Sequence, residues 1–253
     1  MIGANVSLYN STPATAFSLT DISGLTAWYK YNEGVTSSSS VVSLWNDSSG
    51  NNRHMGNITA INKRPVVNGS DSTIGFATDR YLELGSSYGT NTDFPNSNEF
   101  TAFLAVRIPY NTATTKVNPI VVGETTLDSF TVGNLAFIPG DNSYYAFNGN
   151  GSDQNFSLAD SSEQTHVHVN NQLFVFAIRR TGTSLTFMRN SRSNVIITST
   201  ESNTTATVDL NTLGTKAAGG SNVSIAEIAI YNSSLSDSDF DTVIDDIKTR
   251  VGI

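Results

Sequence analysis

Two stretches of this chain are apolar on both parities of an extended strand, and that limits the folds open to it. In Phe100–Ile108, residues Phe100, Ala102, Leu104, Val106 and Ile108 share one face and Phe103 and Ala105 the other, because successive strand side chains point to opposite sides. Leu173–Ile178 repeats the habit. A strand with one wet face alternates apolar with polar residues, so these two are central strands covered on both sides.

Around them lie further short strands: Leu25–Tyr31, Val41–Trp45, Tyr81–Leu84, Pro119–Val122, Ser129–Phe137, Tyr144–Phe147, Ser184–Met188, Val195–Thr198 and Ile225–Tyr231. Turn clusters such as Ser49-Gly50-Asn51-Asn52, Pro139-Gly140-Asp141-Asn142 and Thr181-Gly182-Thr183 separate them. No helical stretch alternates with the strands, which favours a sandwich or barrel over a parallel α/β sheet. One helix closes the chain. Ser236 is placed to cap it with Asp239 three residues on, and Phe240, Val243, Ile244 and Ile247 form one apolar stripe. Its acidic start (Asp237, Asp239, Asp241) and basic end (Lys248, Arg250) complement the helix dipole. A length of 253 residues suits one large β domain, and no internal repeat or flexible linker divides it.

Charge and composition narrow the function. The net charge of −8 leaves no concentrated basic face for nucleic acid and disfavours anionic membranes. With no cysteine, disulfides, thiolate metal sites and a cysteine nucleophile are excluded. Nowhere do 18 apolar residues follow one another, so no membrane insertion is expected. Residues 1–20 lack the basic start and apolar run of a secretory signal. They read as a polar N-terminal arm, with Ile2, Val6, Leu8, Phe17 and Leu19 as scattered anchors for a partner, ahead of a domain spanning 21–253.

The domain opens with DISGLTAWYKY, VVSLWNDSSGNNRHM and KRPVVNG, followed by Gly75-Phe76 and Asp79-Arg80-Tyr81-Leu82-Glu83-Leu84; it closes with SNVSIAEIAIYNSSLSDSDF. These segments resemble the laminin G-like branch of the concanavalin A-like lectin and glucanase superfamily, in the versions found in phage and bacterial surface proteins. The resemblance covers residues 21–253. It implies an all-β jelly-roll sandwich of two antiparallel sheets with a short C-terminal helix, and leaves function open, since one fold hosts lectins, hydrolases and structural modules.

A glucanase of this superfamily carries alternate carboxylates on one strand as nucleophile and acid. None of the seven glutamates, Glu33, Glu83, Glu99, Glu124, Glu163, Glu201 and Glu227, begins such a motif. No Gly-x-Ser-x-Gly elbow is present, and only His54, His166 and His168 could serve a serine nucleophile. His166 and His168 share a strand face and form a candidate metal site if symmetry gathers several copies; otherwise they are polar surface. Asp47, Ser49, Asn51 and Asn52 offer oxygens in the manner of a calcium loop, yet read better as a turn in which Asp47 and Ser49 satisfy backbone N–H groups and Gly50 supplies positive φ. Trp28 and Trp45, inside apolar strands, read as core, and His54 as solvated or capping the turn. The candidate glycan site is Tyr144, Tyr145, Asn148, Asn150 and Asp153, where aromatic rings adjoin amide and carboxylate groups. The sequons at Asn57, Asn155, Asn203 and Asn232 follow from composition, and without a secretory signal no glycosylation is expected.

The expected function is therefore a non-enzymatic virion structural protein of a bacteriophage, made in the host cytoplasm, as a tail-fibre or appendage component or a capsid decoration. Its expected partners are other virion proteins, further copies of itself and host-surface polysaccharide, and no cofactor is expected. The alternative is a bacterial surface or secreted carbohydrate-binding module; a polysaccharide hydrolase or lyase ranks third.

Overall fold

The computed structural model describes residues 17–57, 61–70, 72–77, 80–84, 99–107, 120–122, 134–138, 144–149, 152–157, 172–200, 212–214 and 223–253. Among these the chain forms 17 strands and one α-helix. The first six strands are β1 (Leu25–Lys30), β2 (Val35–Ser38), β3 (Val41–Trp45), β4 (Met55–Gly56), β5 (Val66–Asn68) and β6 (Thr73–Phe76). Next come β7 (Tyr81–Leu84), β8 (Glu99–Arg107), β9 (Ile120–Val122), β10 (Asn134–Ile138), β11 (Tyr144–Gly149) and β12 (Ser152–Ser157). The last are β13 (Leu173–Thr181), β14 (Ser184–Arg189), β15 (Val195–Thr200), β16 (Thr212–Gly214) and β17 (Val223–Tyr231), followed by α1 (Asp237–Val251).

Every ladder among them is antiparallel. One layer runs β1-β17-β8-β13-β14-β15. The other runs β2-β3-β4-β7-β16-β9-β10-β11-β12. The β5–β6 hairpin joins them, since β6 pairs with the start of β17 and β5 touches β3 through Val41↔Val66. The result is an all-β sandwich, as expected from the sequence.

The two-sided strands explain the layering. From β8, Phe100, Ala102, Leu104 and Val106 enter the interior between the sheets, joined by Phe174, Phe176 and Ile178 of β13 and Leu185 and Phe187 of β14. Val42 and Trp45 of β3, Met55 of β4, Leu82 and Leu84 of β7 and Leu213 of β16 meet them from the other layer. The opposite parity of the same strands, Phe103, Ala105, Val175 and Ala177, joins Ala229 and Tyr231 of β17 beneath the helix. Small residues on all three strands leave room for α1, whose Phe240, Val243, Ile244 and Ile247 are fully buried there. Phe240 packs against Phe103 with ring centroids 4.9 Å apart and the rings tilted by 50°.

The helix begins where the sequence places it. Asp239 N–H donates to the Ser236 hydroxyl at 3.2 Å, and that hydroxyl donates to the Asp239 carboxylate at 2.8 Å. Arg179 and Arg192 pair with Asp237 at 2.6 and 2.9 Å, and Gly252 ends the helix in the left-handed conformation. Of the expected arm, residues 1–16 lie outside the described residues. Ser18 caps a 3-10 turn over Leu19–Asp21, Leu19 is fully buried, and its carbonyl accepts the Tyr231 hydroxyl at 3.2 Å. The chain is thus fastened to the core from Ser18 onward.

Candidate functional site

Three groups of polar residues could carry chemistry: the turn after β3, the acidic residue of β17, and the β11–β12 hairpin. In the turn, Asp47 is nearly buried and both its oxygens are occupied. Its Oδ1 accepts the N–H groups of Trp28 and Ser49, both at 2.9 Å. Its Oδ2 accepts the Ser49 hydroxyl at 2.8 Å and the Arg53 N–H at 3.1 Å. Asn51 donates to the Leu25 and Thr26 carbonyls at 2.9 and 3.0 Å, and the Asp47 N–H donates to His54 Nδ1 at 3.0 Å. Gly50 adopts φ +89°, the conformation this tight turn requires. A carboxylate whose lone pairs are filled by the protein has none left for calcium. The turn instead seals the outer side of β1, where the Trp28 carbonyl accepts Ser48 N–H at 2.7 Å and the Lys30 carbonyl accepts Trp45 Nε1 at 2.9 Å. His54 caps this turn, and both tryptophans are buried.

Glu227 is the acidic residue of the closing strand, and a bulge decides its surroundings. The β17–β8 register shifts between Ile225 and Glu227. Ile225, Ile228 and Ile230 face the sandwich interior, while Ala226, Ala229 and Tyr231 lie on the helix side. Without the extra residue Glu227 would share Ile225's face and enter a dry core, where an unpaired charge costs several kcal/mol, on the order of 3–5. On the helix side it is only 2% exposed, and each of its oxygens accepts a hydrogen bond. Its Oε1 accepts Trp28 Nε1 and Arg250 Nη2, each at 2.7 Å, and its Oε2 accepts Arg250 Nε at 3.2 Å. Arg250 also pairs with Asp246 one turn back. Burial by itself would lower the Arg250 pKa, but the hydrogen bonds and charges of Glu227 and Asp246 outweigh it and hold the guanidinium above its ordinary value. The Trp28 ring lies 4.0 Å from Lys30 Nζ and 5.1 Å from the Arg250 guanidinium carbon. Burial, reinforced by Arg250 and opposed by Glu227, lowers the Lys30 pKa. This cluster clamps β1, β17 and α1 together. Sequence reasoning missed it, because the Trp28–Glu227 partners are 199 residues apart.

The expected glycan residues Tyr144, Tyr145 and Asn148 fall on β11 and Asp153 on β12. Asn150 lies outside the described residues, as do His166 and His168. In the hairpin Tyr144 is paired with Ser157, Tyr145 with Phe156 and Asn148 with Asp153. Directly opposed residues share a face, and so do residues two or four apart along a strand. Tyr144, Asn148 and Asp153 therefore share one parity of the two-stranded ladder, and Tyr145 has the other. Among the described sequons, Asn57 is 1% exposed and donates from Nδ2 to the Tyr81 carbonyl at 2.9 Å, so its amide is sequestered. No described helix is long and apolar enough to cross a membrane.

No family model matches the sequence, and no curated protein matches it. Solved structures do resemble it. The receptor binding domain of botulinum neurotoxin D superposes with a TM-score of 0.60 at 12% identity, over 92% of this chain and 55% of that one. A structure of botulinum neurotoxin type C, described by the dependence of its cell entry on two ganglioside molecules, gives 0.58 at 12% identity, over 90% and 52%. Trypanosoma rangeli sialidase gives 0.54 at 14% identity, over 88% and 33%. This chain spans about half the length of the toxin structures it matches. At such identities the likeness is one of architecture, and the chain shares with these proteins a β-sandwich fold.

Proposed function

We propose that this chain is a non-catalytic carbohydrate-recognition module, working in a bacteriophage particle as a tail-fibre, appendage or capsid-decoration component that engages host-surface glycan. The observation that supports glycan recognition is the β11–β12 register, in which an aromatic, an amide and a carboxylate residue, Tyr144, Asn148 and Asp153, have the same parity in the ladder. Sugar sites combine those three groups, the ring for the C–H face and the others for hydroxyls. The fold's occurrence in receptor-binding domains, one of them described by its gangliosides, supports the same class of ligand. A non-catalytic role is supported by the missing glucanase motif and by Asp47 and Glu227, whose oxygens are engaged within the protein. The phage setting rests on the resemblance of the two ends of the domain to phage surface modules.

A glycan array carrying bacterial surface polysaccharides tests the proposal. One or more glycans are expected to bind, with Tyr144→Ala and Asp153→Ala each weakening affinity by about tenfold, or roughly 1.4 kcal/mol, without lowering the melting temperature. Binding untouched by both substitutions overturns the assignment to this hairpin. Release of new reducing ends, abolished by changing a single Asp or Glu, overturns the non-catalytic reading, and absence of the protein from purified particles overturns the virion role.

A further inference from the structure

We infer that the β17 bulge and the end of α1 form a second binding site, one that takes a single neutral pyranose ring and is independent of the hairpin. The site is a cavity of about 210 Å³ whose walls include Tyr31, Asn32, Ser72, Leu173, Glu227 and Arg250. Drug-sized ligands occupy pockets of roughly 300–1,000 Å³. This one has room for a single six-membered ring.

The chemistry of the walls specifies the ligand. Tyr31 and Leu173 supply apolar surface, and the Asn32 amide and Ser72 hydroxyl both donate and accept. Asn32 and Ser72 are both exposed. At the base, the bulge places Ala226 and Glu227 consecutively on the helix side, and the Ala226 carbonyl is fixed by Tyr31 N–H at 2.8 Å. Glu227 Oε1 carries two donors and Oε2 only one. A carboxylate has about four lone-pair sites, so Oε2 retains an acceptor position for a ligand hydroxyl. Such a hydrogen bond to an ionised group is stronger than a neutral one. The Glu227 charge is already balanced by Arg250, whose Nε, Nη1 and Nη2 all donate to carboxylates. A charged ligand would thus meet no uncompensated partner, and a neutral polyol is selected. The C-terminal position of Arg250, Val251 and Gly252 in the wall makes the last turn of α1 one side of the site.

Saturation-transfer NMR on the full chain with free glucose, galactose, mannose, rhamnose and N-acetylglucosamine, and with their methyl glycosides, tests this. At least one sugar is expected to show transfer to its ring protons with millimolar affinity. Asn32→Ala, at an exposed position, should weaken binding about tenfold or more, and Val251→Phe, which fills the cavity, should abolish it. Tyr144→Ala should leave it unchanged. Equal binding of the methyl glycoside identifies a chain-terminal residue as the ligand, and binding of the reducing sugar alone identifies a free monosaccharide. No transfer from any of these sugars overturns the site. So does transfer that survives both Asn32→Ala and Val251→Phe in proteins whose melting temperatures match the parent.

Discussion

The central sheet has two buried faces, and they are buried by different means. Its inner face meets a second sheet through an interior supplied by strand alternation, with Trp45, Tyr29, Phe174 and Phe187 among the fully buried side chains. Its outer face is covered by one helix, apolar where Phe240 meets Phe103 and ionic where Arg250 meets Glu227 and Trp28. The inner layer depends on area removed from water, a non-directional quantity that tolerates small shifts. The outer layer depends partly on hydrogen bonds to a buried charge, which fail abruptly when one partner is lost.

The sharpest contrast is expected from truncations on the two faces. Trp45→Ala removes a fully buried ring and its hydrogen bond to the Lys30 carbonyl, and should cost about 4–5 kcal/mol in a denaturant melt. Phe240→Ala, on the helix side, should cost about 3 kcal/mol. An unchanged midpoint for Phe240→Ala would mean that the helix is peripheral, and the comparison would collapse. Next in size is the ionic end. Glu227→Gln keeps the shape but removes the charge, and should cost about 2 kcal/mol. Combined with Arg250→Gln, it should cost less than the two single changes together by about 1 kcal/mol or more. Strict additivity would show that the pair is not coupled.

The smallest effect expected is a pH dependence at the start of α1. The hydrogen bond from Arg179, aided by the charges of Arg192 and Arg179, lowers the Asp237 pKa below its ordinary 3.8. A lowered folded-state value means that the unfolded chain binds the proton more readily, so stability rises with pH in that window. The contribution is fully present above the ordinary value and is lost as pH falls through the lower folded one. Replacing Asp237 with Asn should flatten this acid limb slightly, because the residue is exposed and solvent screens the pair. An acid melting profile identical to that of the parent would assign the limb to other carboxylates.

How far the sequence reaches follows the same division. Each of the eleven strands anticipated from apolar runs overlaps an observed one, and Val41–Trp45 and Tyr81–Leu84 match to the residue. Long runs apolar on both parities, such as β8 and β13, announce themselves because both faces are packed. The strands β2, β4, β5, β6, β12 and β16 were not anticipated. Val35–Ser38 reads Val-Thr-Ser-Ser and Met55–Gly56 is two residues long, so their pairing is imposed by neighbours and not by their own periodicity. The Asp47 turn was legible because its partners are close in sequence. The Glu227 cluster was not, since it needs a bulge to turn the side chain and partners from both ends of the chain.

The seal over β1 has a consequence for how copies of this protein can associate. Among the described residues the β1 ladder is with β17, and apart from a bridge from Lys30 to Glu33 its other side is a sheet edge. An open edge invites a strand from another molecule to continue the sheet, the usual route to uncontrolled aggregation. Here the Thr26, Trp28 and Lys30 carbonyls and the Trp28 N–H already have partners from residues 45–51. Sheet extension from molecule to molecule is therefore blocked on this flank, and copies held at high local concentration cannot polymerise through it. Any ordered array must be built from side-chain surfaces or from another edge. Asp47→Ala would reopen the flank, and concentration-dependent light scattering would register the loss.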